Sequence, residues 1–123
     1  MKLLITIVQA YDADRLLRAV TEAGLGATRI NSVGGFLRMT NATILIATDE
    51  ERATEAVEIV KRTAQRRVEV KMNAAEAEYS EWLAAGFHEV EVGGAVIFVM
   101  PMDALYRVFP TNIEKYEKIP VRK

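Results

Sequence analysis

The run LLITIV at residues 3–8 constrains this chain more than any other feature. It is uncharged and rich in β-branched side chains, so it reads as a strand covered on both faces, or as an inner strand of an oligomer. A helix comes next in the pattern. Asp12 stands where a helix cap is needed, Leu16, Val20 and Ala23 recur at helical spacing, and Asp14 suits the positive end of that helix. Gly24 is available for a left-handed terminal turn. Strands are then expected over residues 27–33 and 42–48, followed by a helix opened by Asp49 with Ala53, Ala56, Val57, Val60 and Ala64 facing inward. A last strong strand, AVIFVM at residues 95–100, is stopped by Pro101, which has no N–H to give to a ladder. Strand, helix, strand, strand, helix, strand is the order of the ferredoxin-like α+β fold.

A length of 123 residues with half of them hydrophobic suits one domain with one core. The stretch between the second helix and the last strand, residues 65–88, is longer than a compact domain leaves structureless. It has its own order. VEVKM at 68–72 and EVEV at 89–92 alternate, and Gly93-Gly94 is a hairpin signal, so an accessory hairpin or sheet extension is expected. Within it, Asn73 as a cap, Glu76 at the capping-box position, and Ala75, Tyr79 and Trp82 on one side predict a short helix over 73–86. The tail beyond Phe109, with two prolines and mixed charge, reads as an arm suited to a neighbouring subunit. The expected organisation is a domain over 1–109, carrying an accessory loop at 65–88, and a C-terminal arm over 110–123.

Composition narrows the function. Sixteen Lys and Arg against 17 Asp and Glu give a net charge of -1, too balanced to draw a nucleic-acid backbone or an anionic membrane surface. The absence of cysteine removes thiolate chemistry and suits a reducing compartment, so the cytoplasm is expected. The opening apolar run is too short to span a bilayer and is followed by no small-residue cleavage site. His88 is the only histidine, with no second His or Cys to complete a metal site, and it reads as a surface or hinge residue. The carboxylates fall at helix starts and on polar helix faces, where they stay solvated. Neither glycine pair fits the common phosphate-cradling motifs. No catalytic residue, metal ligand or cofactor is expected.

One segment resists a bland reading. Gly34 and Gly35 are followed at once by Phe36, Leu37 and Arg38, where a polar turn belongs. Glycines let the backbone approach a ligand, an aromatic ring covers a purine face, and Asn41 offers the donor and acceptor that read an adenine edge. Burying a phenylalanine in the core is worth about 1.5–3 kcal/mol, and stacking it on one base about 1–3 kcal/mol, so energy does not choose between core and ligand. Gly93-Gly94 and Phe98 taken singly read as a turn and a core residue.

Taken together, KLLITIVQ, GATRINSVGGFLRMTNATIL and EVEVGGAVIFVMPMDAL resemble the PII-like cyclic di-AMP receptor family of bacteria, in order and over most of the chain. The resemblance implies a homotrimer that binds one cyclic di-AMP in each cleft between subunits and changes an extended loop read by a downstream protein. It implies signal transduction without catalysis. It also implies that Thr28 lines the pocket, that Gly35, Phe36 and Leu37 form its glycine-rich loop, that Asn41 reads the base, and that Gly94 and Phe98 contribute from the last strand. There are departures. Gly26 stands where the family commonly has arginine, Ala47 where it tends to have glycine, and Arg107 at the usual glutamine position. Arg29 cannot replace the missing cation, because alternate strand residues share a face and an offset of three points the other way. Arg107 is the candidate to restore attraction for phosphate. The altered pocket keeps a second reading open, a regulator binding ATP or ADP. A third is a ferredoxin-like enzyme or interaction module without nucleotide.

Overall fold

The structure, a computed structural model, describes residues 1–31, 41–72 and 87–120. The chain runs β1 (Lys2–Gln9), α1 (Ala10–Glu22), β2 (Gly26–Asn31), β3 (Asn41–Thr48), a 3-10 turn (Glu50–Arg52), α2 (Ala53–Ala64), β4 (Arg67–Met72), β5 (Phe87–Val92), β6 (Ala95–Pro101), β7 (Leu105–Val108) and β8 (Ile113–Tyr116). The main sheet has the order β2-β3-β1-β6 with every neighbouring pair antiparallel. With β6 as the fourth core strand, this is the ferredoxin-like arrangement that the sequence order predicts.

The continuous apolar text of β1 reflects its central place between β3 and β6. Leu4, Thr6 and Val8 are buried on one face, beside Ala42, Ile44 and Ile46 of β3. Ala13, Leu16 and Val20 of α1 and Ala56, Ile59 and Val60 of α2 close over them. Each large aliphatic side chain removed from water there is worth about 1.5–3 kcal/mol, and this layer is the core. The opposite face carries Leu3, Ile5, Ile7 and Leu45, which are only half-buried, and Phe98 and Met100 of β6, which are 42% and 45% exposed. Helices lie on one side of the sheet and none of the described helices lies on the other.

The first helix starts differently from the expectation. Asp12 is not its cap: β1 runs straight into α1, Gln9 is the N-cap residue, and no side chain caps it. Asp12 is instead fully buried and accepts hydrogen bonds from Arg15 (2.9 Å) and Arg67 (2.8 Å). The chain closes α1 at Gly24, whose φ of 82° is the left-handed turn expected there. Asp49 does open the second helical segment, its Oδ1 accepting from the Arg52 N–H at 3.1 Å across the 3-10 turn.

β4 and β5 pair as a separate two-stranded sheet, Arg67 opposite Val92 and Met72 opposite Phe87. The helix expected over 73–86, with Trp82, lies outside the described residues. Beyond β6, β7 and β8 form a second hairpin, Leu105 opposite Tyr116 and Val108 opposite Ile113. Phe109, where the expected domain ends, lies between β7 and β8, and further on Ile119 is buried and Lys118 reaches Glu51 at 3.2 Å.

Candidate functional site

The register fixes which residues share the uncovered face. One row across the sheet is Gly26, Ala47, Leu3 and Met100; the next is Thr28, Leu45, Ile5 and Phe98; the third is Ile30, Thr43, Ile7 and Val96. Thr28 and Gly26 therefore lie on the same side, as alternation requires. Arg29 lies on the helix side, where its Nη1 meets Asp14 Oδ1 at 2.6 Å, and it offers no cation to the open face.

Thr28 and Phe98 occupy the two ends of one row. Three interstrand spacings separate them, about 14 Å, with Thr28 exposed on the β2 edge and Phe98 on the β6 edge. Asn41 and Ala47 lie six residues apart on β3, about 20 Å along the strand. Asn41 is buried opposite Gln9 at the end of the sheet where Gly93 and Gly94 also sit. Within one subunit the candidate residues thus form three groups: Asn41 and Gly94 at one end, Thr28 and Phe98 at opposite edges, and Ala47 with Arg107 at the other end. Gly35, Phe36 and Leu37, together with Arg38, lie outside the described residues.

The third group is a pocket. A cavity of about 340 Å³ has Gly26 and Ala47 as its floor, Tyr106 and Arg107 of β7 on one side, and Tyr116 and Ile119 of the tail on another. Arg107 and the Gly26 position, which the sequence could not bring together, share this space. The Arg107 guanidinium stands 4.7 Å over the Phe109 ring. A side chain added at Gly26 would meet nothing within 4 Å. Tyr106, Tyr116 and Ile119 escaped the sequence reading. Their only signal was the pair of short segments LYRV and IEKY joined through Pro110 and Asn112, turn residues that fit a hairpin.

At the other end, the junction of β1 and α1 grips both legs of the 65–88 segment. On the entry leg, Arg67 donates to Asp12, lies over the Tyr11 ring at 5.8 Å, and has its pKa raised above the usual guanidinium value, chiefly by the hydrogen bond to Asp12 and against the effect of burial. On the exit leg, the Gly93 N–H donates to Gln9 Oε1 at 2.8 Å, and the Gly94 N–H donates to the Ala64 carbonyl. Gln9 is the same residue that pairs with Asn41 across β1 and β3. A change at Asn41 therefore lies one strand from the anchor of the exit leg.

Among the described residues, no cluster of three or more His, Cys, Asp and Glu side chains could hold a metal ion, and no helix is long and apolar enough to cross a membrane.

Known proteins agree with this architecture. A solved structure of a functionally unknown protein from Pediococcus pentosaceus is similar over 87% of this chain and 96% of its own, with 34% identity and a TM-score of 0.69. The cyclic-di-AMP receptor family model matches residues 1–108, a span that includes the sheet, both helices, the Gly26–Ala47 floor and all of β7. The chain belongs to the cyclic-di-AMP receptor family.

Proposed function

We propose that this protein is a non-enzymatic sensor that binds cyclic di-AMP in clefts between the subunits of a homotrimer. The family match over residues 1–108 carries the reading. The geometry supports the shared cleft. Thr28 and Phe98 stand on opposite edges of one sheet, and a closed ring of subunits places one edge of each protomer against the other edge of the next. The half-covered apolar face of Leu3, Ile5, Leu45 and Phe98 is the surface such a ring would bury. In this arrangement Asn41 reads the base, Phe36 and Leu37 cover it, Gly35 and Gly94 let the backbone approach, and Arg107 meets phosphate above Ala47.

Output runs through the 65–88 segment to a downstream protein. Its support is the pair of anchors at Gln9 and Asp12, because Gln9 lies between Asn41 and the exit leg. A cytoplasmic site of action fits the ligand.

The Gly26 opening and the cation at Arg107 favour one alternative ligand class, the adenine mononucleotides ATP and ADP. A thermal-shift panel separates the readings. A ligand that binds only the folded state at 100 times its dissociation constant stabilises it by about 2.7 kcal/mol, so cyclic di-AMP is expected to raise Tm by several degrees. Asn41→Ala is expected to abolish that shift. A shift with ATP or ADP and none with cyclic di-AMP would select the mononucleotide reading; no shift with any nucleotide would select an interaction module or enzyme.

A further inference from the structure

The family match ends at residue 108, yet the pocket beside Gly26 and Ala47 is lined in part by Tyr116, Ile119 and Pro120. Three observations bear on what this tail does. It is held in place: β8 is in register with β7, the Phe109 N–H donates to the Asn112 carbonyl at 2.8 Å, and Ile119 is only 6% exposed. It walls the pocket without filling it, since about 340 Å³ remains, and small-molecule sites begin at about 300 Å³. Finally, Gly26 is not demanded by its backbone. Its φ is not positive and nothing lies within 4 Å of where its Cβ would be, so the effect of glycine there is to leave volume.

The lining names a ligand class. Tyr116, Ile119 and Leu105 offer flat and aliphatic surface, and Arg107, exposed at the pocket with its guanidinium 4.7 Å over the Phe109 ring, offers a cation to the same space. A planar base packs against such a wall, and its attached phosphate meets the guanidinium. We propose that residues 113–120 are a specificity wall of the nucleotide site, turning the Gly26–Ala47 floor into a pocket for one purine base with its phosphate. The inference rests on the pocket being part of the nucleotide site. It goes further in assigning Tyr116 and the tail, which lie outside the family match, a direct part in ligand selection.

The test is calorimetric titration of the full-length protein with cyclic di-AMP and with AMP, using Tyr116→Ala, Tyr116→Phe and Gly26→Leu. Loss of one stacked ring is expected to weaken binding by about tenfold or more in Tyr116→Ala, while Tyr116→Phe, which keeps the ring, binds like the parent. Gly26→Leu, which fills the cavity, is expected to bind neither probe and to keep its Tm. If the parent binds cyclic di-AMP and both Tyr116→Ala and Gly26→Leu bind it equally well, the wall is overturned and the receptor reading stands. If the parent binds AMP alone and both variants lose it, the wall stands and the cyclic di-AMP reading falls. Binding of neither probe by the parent overturns both.

Discussion

At the scale of single residues, two glycines in this chain do opposite things. Gly93 has φ of 96°, and a Cβ there would overlap the carbonyl of Gln65, so the turn into β6 accepts no other residue without rearrangement. Gly93→Ala is expected to cost about 1–3 kcal/mol, read as a lower midpoint in urea, whereas Gly26→Ala is expected to leave the midpoint unchanged. Equal midpoints for the two variants would contradict the assignment. A turn at Gly93-Gly94 was legible from the glycine pair, but the hairpin expected there does not form: β5 pairs with β4 and β6 with β1, so the pair links two sheets. Asp12 was misread for the converse reason. An aspartate ahead of an apolar periodicity looks like a cap in any sequence, and only the fold brings Arg67, 55 residues away, to its carboxylate.

At the scale of elements, the long periodic segments declared themselves and the short ones did not. α1 and α2 repeat their apolar spacing over three turns, and β1, β3 and β6 are strongly β-branched, so their type and order follow from pattern. β7 and β8 have four residues each, too few for periodicity to separate a strand from a loop. Their partner is also each other, so no match to the main sheet betrays them. That miss hid half of the pocket, because Arg107 and Tyr116 come together only through this hairpin. The accessory β4–β5 pair was legible from its alternation. Its place at the β1–α1 junction was not, since Gln9 to Gly93 and Asp12 to Arg67 are contacts made across the fold. If these anchors relay ligand binding, Trp82 in the segment they hold is expected to change its emission when the protein is saturated with cyclic di-AMP. An unchanged spectrum at saturation would contradict the relay.

At the scale of the whole molecule, one sheet face is finished and the other is not. Helices complete the face of Leu4, Val8, Ile44 and Ile46, while Phe98 and Met100 on the open side remain about half exposed. A continuous apolar strand such as β1 is efficient only where both faces are eventually covered, and the proposed assembly into a ring would supply the second cover. The same assembly would unite Thr28 of one subunit with Phe98 of the next, which a single subunit holds about 14 Å apart. The most direct test of the shared site is subunit mixing. Thr28→Ala and Phe98→Ala proteins, each weak in binding cyclic di-AMP, are unfolded together, refolded as mixed assemblies and titrated by calorimetry. If each site takes Thr28 from one protomer and Phe98 from its neighbour, statistical mixing restores high affinity at roughly one quarter of the sites. Mixed assemblies that bind no better than either parent variant would show that the two residues do not meet across an interface, and would contradict the account.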